Sequence, residues 1–373
     1  MKQNKSGQVS VTFNWIYVLI AGAVILLFFL GIIIRQKNVS EERLSIEVLE
    51  IMQTIFTGAE VSEQTKNFVG TSSLADHTLY FECNNGVTVY GLRDANFRQE
   101  NSITPIFSPE EIKSSLLILW SVPYKLPFKI MDFLFITSAN TKYYLLGDGN
   151  GLRDDFLEGV GSDITDERLK FNIEEITNLN EVEAGNNFQV RIVDFEGSII
   201  NNDPVPGDLN SLGDKATAVS FSANSVQFFE QKNNIWQTTG SADIVSMNDE
   251  RDAAKFAAIF SADAQQYDCN MNKAFQRVNL LSNLYEGKLD ELKVYYDSLD
   301  QEGYEVDQCK SYVNSLSSGG YQQNLEDTIK FSYKIESDVC ASENINCATL
   351  SETALGLRRL NQELGKECEV ALY

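Results

Sequence analysis

Histidine is almost absent from this chain of 373 residues, and basic side chains are few. The single histidine, His77, excludes zinc sites built from several histidines and leaves one position for a His-dependent triad. Lysine and arginine number 30 against 53 acidic residues, a formal net charge of −23. A chain this acidic repels phosphate, so we expect no nucleic-acid partner.

The familiar short catalytic motifs are also missing. The sequence contains no CxxC pair, no GxGxxG or other phosphate loop, no GxSxG elbow and no internal repeat. We therefore expect no catalysis, no cofactor and no structural or catalytic metal.

One long apolar run is present near the N-terminus. Residues 13–34 read FNWIYVLIAGAVILLFFLGIII, without a charge, and follow a basic leader at 1–12. A helix of this length spans about 33 Å, the thickness of a bilayer's hydrocarbon core. The run predicts a transmembrane helix with membrane lipid as its partner. A cleaved secretory signal is the alternative, although its apolar region is normally shorter.

An amphipathic pattern continues after the apolar run. Apolar residues recur every three or four positions within 35–60, which predicts a stalk helix. One helix running from the membrane to the next domain and two helices with a break near 37–39 both fit this pattern.

Residues 61–247 have the pattern of an α/β domain. Strands separated by helical segments favour crossover connections and a mixed, partly parallel sheet. The Asn84-Asn85-Gly86 turn predicts a hairpin, and 161–187 and 197–215 read as loops. The predicted strands cover 79–83, 87–90, 114–121, 143–146, 188–195, 216–223, 226–230 and 236–239. The predicted helices cover 128–135 and 150–160.

The composition changes at residue 248. From there to residue 373 the chain has no proline and a long helical periodicity, which predicts a helical domain. The predicted helices cover 249–263, 272–299, 301–316, 321–337 and 350–372.

All six cysteines follow the apolar run, and five lie in the last 105 residues. An even count with this distribution favours disulfides and an oxidising compartment. We expect a Cys269–Cys309 bridge, with Cys340–Cys347 or a pairing through Cys368 for the others. Six reduced thiols in a cytosolic domain are the alternative.

A loop rich in aspartate and glycine is the candidate binding site. Asp148, Asn150 and Asp154 follow a candidate parallel strand, and ligands of α/β sheets bind at the carboxyl ends of such strands. Their oxygen ligands suggest a weak site for a hard cation, although Gly159 stands where an EF-hand has glutamate. A plain turn that caps the following helix is the alternative.

The residues directly before the apolar run carry a family resemblance. Lys5, Gly7, Gln8 and Ser10 resemble the class III signal of archaeal type IV pilin-like proteins. The resemblance implies leader cleavage between Gly7 and Gln8 and self-assembly through the N-terminal helix. The family's glutamate is replaced here by Thr12. The body of the chain resembles uncharacterised single-span membrane proteins of small-genome archaea, which implies no activity.

These observations predict an α/β protein with an N-terminal transmembrane helix, a mixed partly parallel sheet domain and a C-terminal, disulfide-stapled helical domain. The function expected is that of a single-pass, membrane-anchored, extracytoplasmic surface or pilin-like protein with structural or interaction roles. A cytoplasm-facing membrane scaffold with free thiols and a membrane-tethered enzyme using the α/β domain are the alternatives.

Overall fold

A computed structural model describes residues 66–70, 75, 77–93, 98–161, 171–247, 251–302, 306–318, 349–368 and 370–373, with seven positions between 19 and 30. The strands are β1 (Lys66–Gly70), β2 (Leu79–Asn84), β3 (Val87–Leu92), β4 (Arg98–Asn101), β5 (Ile106–Phe107), β6 (Glu111–Ile112), β7 (Leu116–Lys125), β8 (Lys129–Ser138), β9 (Thr141–Leu146), β10 (Asn172–Ile176), β11 (Gln189–Asp194), β12 (Ala216–Ser222), β13 (Ser225–Lys232) and β14 (Ile235–Asp243). The α-helices are α1 (Leu152–Val160), α2 (Ala253–Phe260), α3 (Ala264–Gln301), α4 (Asp307–Ser318) and α5 (Thr349–Cys368).

Two of the three sheets pack face to face. The hairpin sheet has the order β4-β3-β2-β6 and is antiparallel throughout. The long-strand sheet has the order β1-β7-β8-β5. Leu79 and Phe81 of the former share a buried cluster with Leu119 and Ile136 of the latter. The predicted hairpin is confirmed, with Gly86 at positive φ in its turn.

The helix predicted at 128–135 is wrong, because these residues belong to the segment that forms β8. Phe133 and Phe135 of β8 face one hydrophobic cluster, whereas Leu134 and Ile136 face the other. A strand buried on both faces is apolar at consecutive positions. Its pattern cannot be distinguished from a buried helix by periodicity alone.

The third sheet, here the mixed sheet, has the order β10-β9-β11-β12-β13-β14. Its first four strands are mutually parallel. β13 is antiparallel to β12, and β14 is antiparallel to β13. The predicted partly parallel sheet is therefore confirmed. The interpretation of 161–187 as loop is wrong at β10, an edge strand whose central Glu174 and Glu175 are exposed.

Helix α2 lies between the long-strand sheet and the mixed sheet. Seven of its eight side chains are buried, so the expected single apolar face covers nearly the whole helix. Phe260 stacks on Phe135 of one sheet and meets Tyr143 of the other edge to face. Four of its eight residues are alanines, which allow both sheets to approach the helix closely. Although α2 follows residue 248, it lies in the same cluster as the sheets.

Helix α3 connects the sheets to a small helical cluster. Its first part packs in the central cluster through Tyr267, Met271 and Phe275. Its later residues Leu289 and Tyr296 pack with α4 and α5 in a separate cluster.

The cysteine pairing differs from the expected one. Cys83 of β2 bonds to Cys269 of α3, and Cys309 of α4 bonds to Cys368 of α5. The Cys269–Cys309 prediction is wrong, because tertiary packing places the β2–β3 hairpin against α3. Cys340 and Cys347 lie outside the described residues.

The membrane prediction falls mostly on residues that are not described. No helix within the described part of the chain is long and apolar enough to cross a bilayer. Of residues 13–34, seven positions are described, all helical and exposed, including Leu19 and Leu27. Gly7, Gln8 and the stalk segment 35–60 lie outside the described residues.

Candidate binding cleft at the carboxyl edge of the mixed sheet

The chain leaves the carboxyl ends of β9 and β11 in opposite directions. After β9 it passes through α1 to β10, on one side of β9. After β11 it passes through a loop to β12, on the other side. Phe156 of α1 is buried on one face of the sheet, and Leu209 of the loop on the opposite face. Such a divergence is a topological switch point, where α/β sheets bind their ligands.

A cleft of about 710 Å³ opens at this switch point. Its walls are the loop after β9, the loop after β11, the end of β12 and the start of α2. The stacked rings of Phe195 and Phe221, with centroids 5.9 Å apart, form part of the lining. The volume lies within the range of about 300–1,000 Å³ that small-molecule sites occupy.

Glycine allows the loop after β9 to pack directly on the end of β11. Gly149 has a φ of +59°, and a Cβ built on it would lie 2.7 Å from the Cβ of Phe195. Gly151, two residues further on, has a φ of +92° and no atom within 4 Å of its Cβ position. Both glycines accommodate a left-handed backbone, but only Gly149 also accommodates a close contact.

Replacing Gly149 by alanine is expected to lower the free energy of unfolding by about 2–3 kcal/mol, because strain and overpacking add. Gly151→Ala is the matched control, with an expected loss of only about 1 kcal/mol from the backbone alone. Urea unfolding followed by circular dichroism measures both. Equal losses for the two variants would contradict the close contact at Phe195.

Three carboxylates surround the mouth of the cleft. Asp148 accepts a hydrogen bond from the backbone N–H of Asn150 at 2.7 Å, and Glu196 accepts one from the N–H of Asp148 at 3.4 Å. Asp155 lines the same cleft from the first turn of α1. Within the described residues, none of the three forms an ion pair; the nearby pairs involve Asp154 and Asp252.

A fourth carboxylate lies deeper, at the start of α2. Asp252 is buried and accepts hydrogen bonds from the N–H groups of Ala254 and Lys255, which makes it the N-cap of the helix. Ser246 donates a hydroxyl hydrogen bond to it, and the Lys255 ammonium lies 3.7 Å away. Burial raises the pKa of Asp252 above its ordinary value. These hydrogen bonds hold the Asp252 side chain in place on the inner wall of the cleft.

The structure brings together two of the three predicted site residues. Asp148 and Asn150 line the cleft, whereas the Asp154 carboxylate is exposed and accepts from the Arg153 guanidinium at 3.1 Å. Asp155, Glu196 and Asp252 were missed. Glu196 follows the end of the parallel strand β11, and this position is a signal that places it beside Asp148. Asp252 lines the cleft only because α2 inserts between the sheets.

Comparison with protein-family models, curated proteins and solved structures gave no match. Among the described residues, the lining of the cleft carries the carboxylates of Asp148, Asp155, Glu196 and Asp252 and the ammonium of Lys255, so acidic side chains outnumber basic ones there.

Proposed function

We propose that this protein is anchored in the cell membrane by one helix and acts outside the cytoplasm as a surface or pilin-like interaction protein. The observation that carries the proposal is the pairing of cysteines. All four cysteines in the described part of the chain are joined in disulfides. Disulfides persist in oxidising compartments and are rare in the cytosol.

The two bridges connect distant segments. Cys83 and Cys269 are 186 residues apart, and Cys309 and Cys368 are 59 apart. Cys83 and Cys269 are both buried, so their bridge belongs to the packed interior. This arrangement supports an extracytoplasmic domain over the alternative of a cytoplasm-facing scaffold with free thiols.

The N-terminal sequence supports the anchor. Residues 13–34 carry no charge over a length that fits a bilayer. At the described positions, Leu19 and Leu27 are 64% and 66% exposed. Removing such a leucine from water is worth about 1.5–3 kcal/mol, and lipid tails provide that environment. The resemblance of residues 5–10 to a class III signal supports the pilin-like form of the proposal.

The mature N-terminus tests the pilin-like form. We expect terminal peptide mass spectrometry of protein from native membranes to find a chain that begins at Gln8. The leader is then removed by a prepilin-type peptidase. A chain that begins at Met1 would contradict this form and leave an uncleaved anchor.

Cysteine labelling on intact cells tests the orientation separately. After treatment with a membrane-impermeant reductant, an impermeant maleimide is expected to label Cys309 and Cys368 without lysis. The matched control omits the reductant and should give no label at these two residues. Labelling that requires lysis but no reductant would favour the cytoplasm-facing scaffold.

A further inference from the structure

We propose that an exposed stripe of α3 pairs with the same stripe of a second copy of this chain, with the two helices antiparallel. The stripe, here the open stripe, contains Arg277, Leu280, Leu284, Gly287, Glu291 and Val294, and all of these residues are exposed. The inference goes beyond the proposed function and does not depend on how the N-terminus is processed.

The spacing of the open stripe is that of a seam between two helices. Its members follow one another at alternating intervals of three and four residues, which is the repeat of two-stranded coiled coils. Leu280 and Leu284 are each 64% exposed, and Val294 is 70% exposed. The face of a helix that points to water normally carries polar residues. The open stripe therefore gives α3 a second apolar face that lacks cover.

The first apolar face of α3 is already occupied. Leu289 and Tyr296 are buried in the small helical cluster, and Leu281 and Tyr285 pack against the central cluster. The open stripe stays exposed with the described helices and sheets in place. Its partner is therefore not an element of the described part of the chain.

Gly287 lies in the interior of α3, where glycine is less favourable than alanine. A Cβ built on Gly287 would have no atom within 4 Å. No described neighbour therefore requires the missing side chain. A second helix that packs closely on the open stripe would require it, since glycine lets another backbone approach.

Two charged side chains of the open stripe lack a partner. Asp297 and Asp300 of α3 pair with Lys310 of α4. By contrast, Arg277 and Glu291 form no ion pair within the described part of the chain. They lie at opposite ends of the leucine pair and carry opposite charges, so the open stripe is complementary to itself in reverse.

Antiparallel pairing satisfies both the leucines and the charges. Leu280 of each copy meets Leu284 of the other, twice by the two-fold symmetry. Arg277 of each copy then lies over Gly287 of the other and within about one helical turn of its Glu291. A parallel pair would bring Arg277 to Arg277 and Glu291 to Glu291, and these like charges repel. The net charge of −23 opposes association at long range, but salt screens that repulsion.

Sedimentation equilibrium of the full chain in density-matched detergent tests the proposal. We expect a reversible equilibrium between monomer and dimer. Replacing Leu280 and Leu284 together by glutamine should raise the dissociation constant at least about tenfold. Leu355→Gln is the matched control, because Leu355 is an exposed leucine of α5 outside the open stripe, and it should leave the constant unchanged.

Charge exchange tests the orientation of the two helices. Arg277→Glu places two acidic side chains together and should raise the dissociation constant about tenfold. Adding Glu291→Arg to this variant should restore the original constant, because the antiparallel pair again joins opposite charges. In a parallel pair the double exchange keeps like charges together, so absence of rescue would overturn the antiparallel arrangement.

Three other results would overturn the proposal. The first is an unaltered protein that stays monomeric at every concentration. The second is a dimer whose constant is unchanged by the two glutamines, which would place the association elsewhere, such as in the N-terminal helix. The third is a monomer whose melting temperature falls in that variant, which would show that the open stripe is covered by residues of the same chain. Circular dichroism melting curves of every variant separate loss of fold from loss of pairing.

Discussion

Replacing Cys83 and Cys269 together by alanine is expected to lower the free energy of unfolding by about 4–5 kcal/mol. The bridge joins residues 186 apart, so its loss releases a long loop in the unfolded chain. It also fastens the hairpin sheet to α3, where Lys273 donates to Thr88 and to the carbonyl oxygens of Asn101 and Thr104. Urea unfolding followed by circular dichroism measures the loss.

The second bridge provides the control. Cys309 and Cys368 belong to the small helical cluster, apart from the sheets. Replacing both by alanine should increase hydrogen exchange in α4 and α5 while the strands stay protected. Equal loss of protection in the strands by both double variants would contradict separate roles for the two bridges.

Replacing Arg191 by methionine is expected to cost about 3–5 kcal/mol of stability. The buried Arg191 guanidinium donates to the carbonyl oxygens of Ala258, Ile259, Ser261 and Ala262, at 2.6 to 3.4 Å. These carbonyls end α2, where the helix itself offers no donors. Methionine fills similar space but leaves the buried oxygens without hydrogen bonds.

Arg191→Lys is the matched control. Burial lowers the pKa of Arg191 only to about 10, so the guanidinium stays charged near neutral pH. Lysine also donates hydrogen bonds, but its three donors lie on one atom and cannot reach carbonyls on both sides of the helix end. We expect an intermediate loss in denaturant unfolding. Full stability in Arg191→Met would show that the helix end needs no donor.

Local patterns in the sequence predicted the β2–β3 hairpin and much of the mixed sheet. The hairpin turn, the strands around 143–146 and 188–195, and the three-strand meander all have turn signals at their ends, and the structure confirms them. Helix α1 was also predicted, and Gly161 ends it in a left-handed conformation. The two segments that were predicted wrongly form β8 and β10. β8 is buried on both faces and β10 is an exposed edge strand, so neither shows the alternation of apolar and polar residues that marks a strand.

The candidate site was predictable only where it follows a single strand. Asp148 lies two residues after the end of β9, so the rule for parallel strands found it. Asp154 is only six residues further, but the turn into α1 carries it away from the cleft. Asp252 belongs to the site only through α2. Similarly, Cys269 meets Cys83 through packing over 186 residues, which spacing cannot indicate.

The buried position of α2 has a consequence for the order in which the chain can mature. The helix is made after every strand of the two sheets that enclose it. Until residue 260 has been synthesised and, for an exported domain, has crossed the membrane, both sheets leave apolar faces open to water. Contacts over such sequence distances form late and slowly. We therefore expect the nascent strands to be prone to aggregation until α2 covers those faces.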